Sequence, residues 1–255
     1  MSDPLPEPRG HVLFSGDDRL EGVLEWPEGP GSGGVVIAHP HPLYGGTMAQ
    51  PVVYRVAQAC REQGYASLRF NFRGVGRSGG RYSGTEEYRD VEAALAFLRG
   101  RLASGPGEAG YASSAVAGPA VDSPGNGRRL ALGLAGYSFG SVMAAVAAGT
   151  GVVPVEALAL IALVVDWEEL PPGTLDGLAR FRGPVLALCG ELDDLAPPDV
   201  VEKALRRLGV DFRLKVVKGT GHFFEQRQRE VGEEVAAFFA EILGGRRPVR
   251  EGGIE

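Results

Sequence analysis

Cysteine is scarce in this chain: Cys60 and Cys189 are the only two in 255 residues. They do not form a CxxC pair, and they read as ordinary buried thiols in a reducing compartment. Stability therefore has to come from a core, which a chain of this length can build without disulfides. Histidine is nearly as scarce, with only His11, His39, His41 and His222, so chemistry that needs an imidazole has few places to go. Positive charge is in deficit, and the net charge of -6 argues against a phosphate backbone or an anionic membrane as partner. The tail arginines Arg246, Arg247 and Arg250 are too few to reverse that. No apolar run approaches the ~20 residues of a membrane span. The opening MSDPLPEPRG has no apolar stretch of the secretory kind. The expectation is a soluble, cytoplasmic protein with no nucleic-acid or membrane partner.

What is present is an ordinary globular composition, 44% hydrophobic and 23% charged. Short strands are expected over 11–15 and 19–26 around a Gly-Asp-Asp turn, forming a hairpin. Strands and helices then alternate. Strands are expected over 34–38, 65–70, 130–136, 157–165, 185–189 and 212–217. Helices are expected over 51–63, 85–102, 139–148, 199–208 and 230–243, from apolar residues at helical spacing. This alternation predicts one α/β domain over 11–243: a mostly parallel central sheet, helices on both faces and an antiparallel edge hairpin. The segments 1–10 and 244–255 read as a flexible arm and tail. The segment 104–129, rich in Gly, Ala, Ser and Pro, reads as a mobile surface loop, with a flap over the site as its functional alternative.

Gly136-Tyr137-Ser138-Phe139-Gly140 fits GxSxG and stands where a strand gives way to a helix. A nucleophile on so sharp a turn brings neighbouring backbones close, so the residues two before and two after it have to be small. Ser138 would also sit at a helix N-terminus, where free N–H groups favour developing negative charge. In a chain with 39 glycines the bland alternative is a Gly-rich turn with a capping serine. A serine hydroxyl needs a base, and the base needs an orienting carboxylate. His222, in Gly219-Thr220-Gly221-His222-Phe223-Phe224, follows one strand. The carboxylates of Gly190-Glu191-Leu192-Asp193-Asp194 follow another. The order serine, acid, histidine, with each residue just beyond the C-terminal end of a strand, is what a catalytic triad on an open α/β sheet requires.

With those segments, the chain resembles the α/β-hydrolase superfamily from about residue 11 to 243. The resemblance also draws on the HPHP segment (39–42) and the RGVGRS segment (73–78). It is closest to small cap-less bacterial serine esterases related to the dienelactone hydrolases. Those relatives use a cysteine where this chain has Ser138, which implies ester hydrolysis. The family's spacing of acid and proline after the strand-ending glycine matches Gly190, Asp193 and Pro197. Asp193 is therefore chosen over Asp194, with Asp166 third. An oxyanion hole takes one N–H from the residue after the nucleophile, Phe139, and another from the loop after the early strand. Pro40 and Pro42 have no N–H, which leaves His41 and Leu43. The family's HGx pattern, here with Pro40 in place of glycine, implies His41.

Two further patterns compete. His39-Pro40-His41 has the form of a metal-binding HxH pair, but too few histidines remain to complete a zinc site. Gly74-Val75-Gly76-Arg77-Ser78-Gly79 fits GxGxxG yet leads into another Gly-rich stretch, so no helix N-terminus would meet a pyrophosphate. No cofactor and no metal are expected. Between 165 and 184 there is room for a loop and a short helix but no cap. The site is thus expected to be open, bordered by Tyr44, Trp167 and Phe223. The expected partner is a small-molecule ester, short-chain or small aryl. A thioesterase, an acyltransferase, a peptidase or a perhydrolase would use the same triad, and a binding protein that lost turnover is the alternative from another class.

Overall fold

Strands β1 (His11–Ser15), β2 (Arg19–Glu25), β3 (Gly33–Ala38), β4 (Ala66–Phe70), β5 (Ala131–Tyr137), β6 (Ala157–Ile161), β7 (Val185–Gly190) and β8 (Phe212–Val217) make one sheet. Their order is β1-β2-β4-β3-β5-β6-β7-β8. The structure, a computed structural model, describes residues 10–29, 31–105, 131–167 and 169–244. The expectations for 1–9, for 106–129 and for the tail beyond 244 lie outside the described residues.

The β1–β2 and β2–β4 pairings are antiparallel, and every other pairing is parallel. Strands β3, β6 and β7 are buried along their whole length, as strands covered on both faces must be. The cover comes from α1 (Pro51–Glu62) and α5 (Gln228–Leu243), packed together on one face, and α2 (Tyr88–Ser104) and α3 (Phe139–Thr150) on the other. Helix α4 (Pro198–Arg207) packs on β7 and β8. Pro51 and Pro198 open α1 and α4, where a missing N–H costs nothing. Among the described residues no helix is long and apolar enough to cross a membrane.

Two expected boundaries move by three residues or more. The strand over 157–165 stops at Ile161, because Ala162 turns into the left-handed region (φ 48°) and its N–H bonds Leu188 at 2.7 Å. Ala162 and Leu163 stay fully buried, so the apolar run continues as a buried loop rather than as strand. Helix α2 starts at Tyr88, not at residue 85. The Ser83 hydroxyl accepts the N–H groups of Thr85 and Glu86, while the Glu87 carboxylate accepts the N–H of Ser83 at 2.6 Å. These side-chain bonds hold a separate turn ahead of the helix.

The sheet order places β5 at the centre, where connections run outward in both directions. In such sheets the C-terminal edge at the switch point is where a crevice forms.

Candidate active site

Ser138 lies between the last residue of β5 and the first of α3, with φ 56° and ψ -120°. A non-glycine residue held there costs about 1–3 kcal/mol and persists only if its surroundings over-determine it. Here they do. The Ser138 N–H bonds the carbonyl of Ile161 on β6, and its own carbonyl accepts the N–H groups of Ser141 and Val142 and the Ser141 hydroxyl. The turn is so tight that a Cβ on Gly136 would meet the Gly140 backbone, and α3 starts so close to the end of β3 that a Cβ on Gly140 would lie 2.4 Å from the carbonyl oxygen of Ala38. The glycines of GYSFG are thus demanded by sterics.

His222 and Asp193 come from the loops after β8 and β7. His222 Nε2 is 2.9 Å from Ser138 Oγ, and its Nδ1 is 3.0 Å from both Asp193 oxygens. A carboxylate only accepts, so the ring proton sits on Nδ1 and leaves Nε2 free to accept the serine proton. Asp193 also accepts the N–H groups of Leu195 (3.0 Å) and Ala196 (2.8 Å), which fixes its plane before the imidazole arrives. Asp194 and Asp166, the other two carboxylate candidates, are solvent-exposed. All three residues are buried but retain a little exposure, Ser138 8%, His222 7% and Asp193 4%, while the side chain of Asp193 itself has none.

The loop after β3 carries the HPHP histidines, and both have hydrogen-bonding duties. His39 is completely buried; its Nε2 accepts the N–H of Phe72 (3.0 Å), so Nδ1 carries the proton and donates to the Pro40 carbonyl (2.6 Å). Burial pushes its pKa down to about 3, so the ring is neutral. His41 Nδ1 accepts the N–H of Leu43 (3.1 Å), and its Nε2–H then points to the hydroxyl of Tyr82 (2.7 Å). Burial also lowers the His41 pKa, against the pull of the Glu169 carboxylate 3.7 Å away. Metal ligation by the pair would have to break these bonds. Of the two amides weighed for the oxyanion, that of Leu43 is engaged by the His41 ring. A short 3₁₀ turn (Pro42–Tyr44), which the sequence did not announce, follows directly.

The three aromatics expected at the border lie around this centre. Tyr44 is 76% exposed and Phe223 64%, while Trp167 is half-buried. The rings of Tyr44 and Trp167 sit 4.7 and 4.5 Å from that of His41, and Phe223 meets His222 edge-on at 5.5 Å. Phe224, its neighbour, is core. Between β6 and β7 the described residues hold a loop and one short 3₁₀ turn (Asp176–Arg180), and no cap. Sequence reasoning missed Tyr82, Glu169 and Tyr137, the first two around the His41 ring and the last on the His222 backbone.

The GxGxxG segment supports this edge from behind. Arg73 forks onto Asp90 of α2, with its Nη2 2.6 Å from Oδ1, and the Ser78 hydroxyl bridges Glu21 N–H to the Asn71 carbonyl. Helix α2 begins only at Tyr88, so no helix N-terminus faces these glycines.

Comparison with known proteins agrees with the geometry. Residues 18–178 match the model of a family described as X-Pro dipeptidyl-peptidase (S15 family). An uncharacterised protein of Rickettsia prowazekii (strain Madrid E) is 27% identical over 238 residues, covering 91% of this chain and 89% of its own. An α/β serine hydrolase homologue from Coxiella burnetii superposes with a TM-score of 0.74 at 29% identity, over 93% of this chain and 100% of the other. A lid-less α/β serine hydrolase from Xanthomonas campestris gives 0.68 at 24%, over 94% and 97%. The chain is a hydrolase of the cap-less α/β-hydrolase fold and belongs to the S15 family.

Proposed function

We propose that the protein is a serine carboxylesterase that cleaves short-chain or small aryl esters through an acyl-enzyme. The observation that carries this reading is the continuous line Asp193–His222–Ser138, with gaps of 3.0 and 2.9 Å, on a backbone strained at Ser138. In the proposed cycle His222 Nε2 takes the proton as Ser138 Oγ attacks the ester carbonyl, and Asp193 stabilises the imidazolium. The N–H groups of Phe139 and His41 receive the oxyanion, each worth about 10²–10³ in rate. His222 returns the proton to the leaving alcohol. A water activated by the same ring then frees the acid. The small-ester preference is supported by the uncapped mouth with Tyr44 and Phe223 standing in solvent, where little of a long acyl chain could be enclosed.

The family match favours a second reading, amide cleavage after an Xaa-Pro unit. Both use one nucleophile and differ in the leaving group. The test compares turnover of p-nitrophenyl acetate, butyrate and octanoate with that of Xaa-Pro p-nitroanilides. The ester reading predicts the highest kcat/KM on acetate or butyrate; a higher kcat/KM on the anilides would replace it with the peptidase reading.

A further inference from the structure

We infer that Tyr137 is a positioning residue for the base: its phenol ties the backbone of His222 to the turn that carries Ser138. The inference rests on the proposed roles of Ser138 and His222. Tyr137 is the last residue of β5, one peptide bond from Ser138, and it is buried. Its hydroxyl donates to the carbonyl oxygen of His222 at 2.9 Å, across 85 positions of sequence. Its ring lies 5.8 Å from that of His222 and 6.3 Å from that of Phe224.

The loop that brings His222 in needs such a tie. Just past the histidine it passes through left-handed backbone twice at non-glycine residues, Phe224 (φ 50°) and Gln226 (φ 61°). Conformations of that kind hold only where the surroundings fix them. Asp193 orients the imidazole ring through Nδ1 but does not locate the histidine's main chain. The phenol does, from the neighbour of the nucleophile. The Oγ–Nε2 separation is thereby set within one short mechanical loop, alongside the Leu192 N–H bond to the Thr220 carbonyl that joins the loops of the acid and the base. Burial and the nearby Asp193 carboxylate raise the phenol's pKa, which keeps it a donor across the working range.

Tyr137→Phe keeps the ring contacts and removes only the donor, so a folded protein is expected, checked by circular dichroism and Tm. Misplacing a base by a fraction of an ångström to 1 Å should lower kcat roughly 10- to 100-fold with KM nearly unchanged. The rate at which a fluorophosphonate labels Ser138 should fall by the same factor, since that reaction needs the same proton transfer. A purely structural tyrosine would lower Tm and leave kcat and labelling unchanged well below Tm. That result, or a variant unfolded at the assay temperature, would overturn the positioning role. If the wild type is labelled and only the Tyr137 comparison shows no difference, the inference fails alone. If the wild type neither labels nor turns over, the hydrolase mechanism falls and takes the inference with it.

Discussion

A Cβ built on Gly136 would lie 2.1 Å from the carbonyl oxygen of Gly140, closer than any real contact. The two glycines of the motif face each other across the turn that presents Ser138, and the atom that would be hit is backbone. Relief requires the strand or the helix to move. Gly136→Ala is expected to destabilise by about 3 kcal/mol or more, a drop in Tm of roughly 6–12 °C. Gly151→Ala, at a helix end with φ 68° and open space around it, should cost only about 1 kcal/mol. Thermal unfolding of both variants checks the contrast, and equal losses would contradict it.

Stability should depend on pH through His39. Its native pKa of about 3 lies below the unfolded value of 6.5, so between these limits the unfolded chain binds the extra proton. Stability is therefore full above the unfolded pKa and is lost as pH falls through the window. From pH 7 to pH 5 the loss from this one group is about 2 kcal/mol. Urea unfolding at the two pH values, for wild type and His39→Asn, should give a drop smaller by about that amount in the variant. Parallel drops would mean that His39 is not the group responsible.

The His41 ring holds the loop of the proposed oxyanion amide by accepting the Leu43 N–H. His41→Ala frees that amide and should lower kcat by about 10²-fold, the scale of one oxyanion donor. His41→Asn offers an oxygen to the same N–H two residues on and should recover a good part of the loss. Steady-state kinetics of the two variants decides, and equal impairment would place the importance of His41 in its aromatic contacts instead.

Much of this site could be read from the chain because its constraints are local. Gly136 is forced by the backbone of Gly140 and Ser141 within the same turn, and the strand ends that place His222 and the acid follow from β-α alternation; Gly140 is forced by the distant backbone of Ala38 and His39, and only the motif announced it. The choice between Asp193 and Asp194 needed more. To β-α alternation adjacent carboxylates look alike; the family's spacing through Gly190 and Pro197 favoured Asp193, and in the structure the His222 ring and the turn amides of Leu195 and Ala196 single it out. The strand expected to 165 shows the limit of apolar patterning, since Ala162 and Leu163 are as buried in a loop as they would be in a sheet. Tyr82 and Tyr137 escaped notice because their partners lie 41 and 85 positions away. A hydroxyl aimed at a distant ring nitrogen or carbonyl leaves no periodic trace.

The most direct test of the mechanism is hydrolysis of p-nitrophenyl acetate by wild type and by Ser138→Ala, both shown to be folded. The proposed mechanism predicts measurable wild-type turnover that falls by roughly 10⁴-fold or more in the variant. A Ser138→Ala protein that keeps the wild-type rate would contradict it.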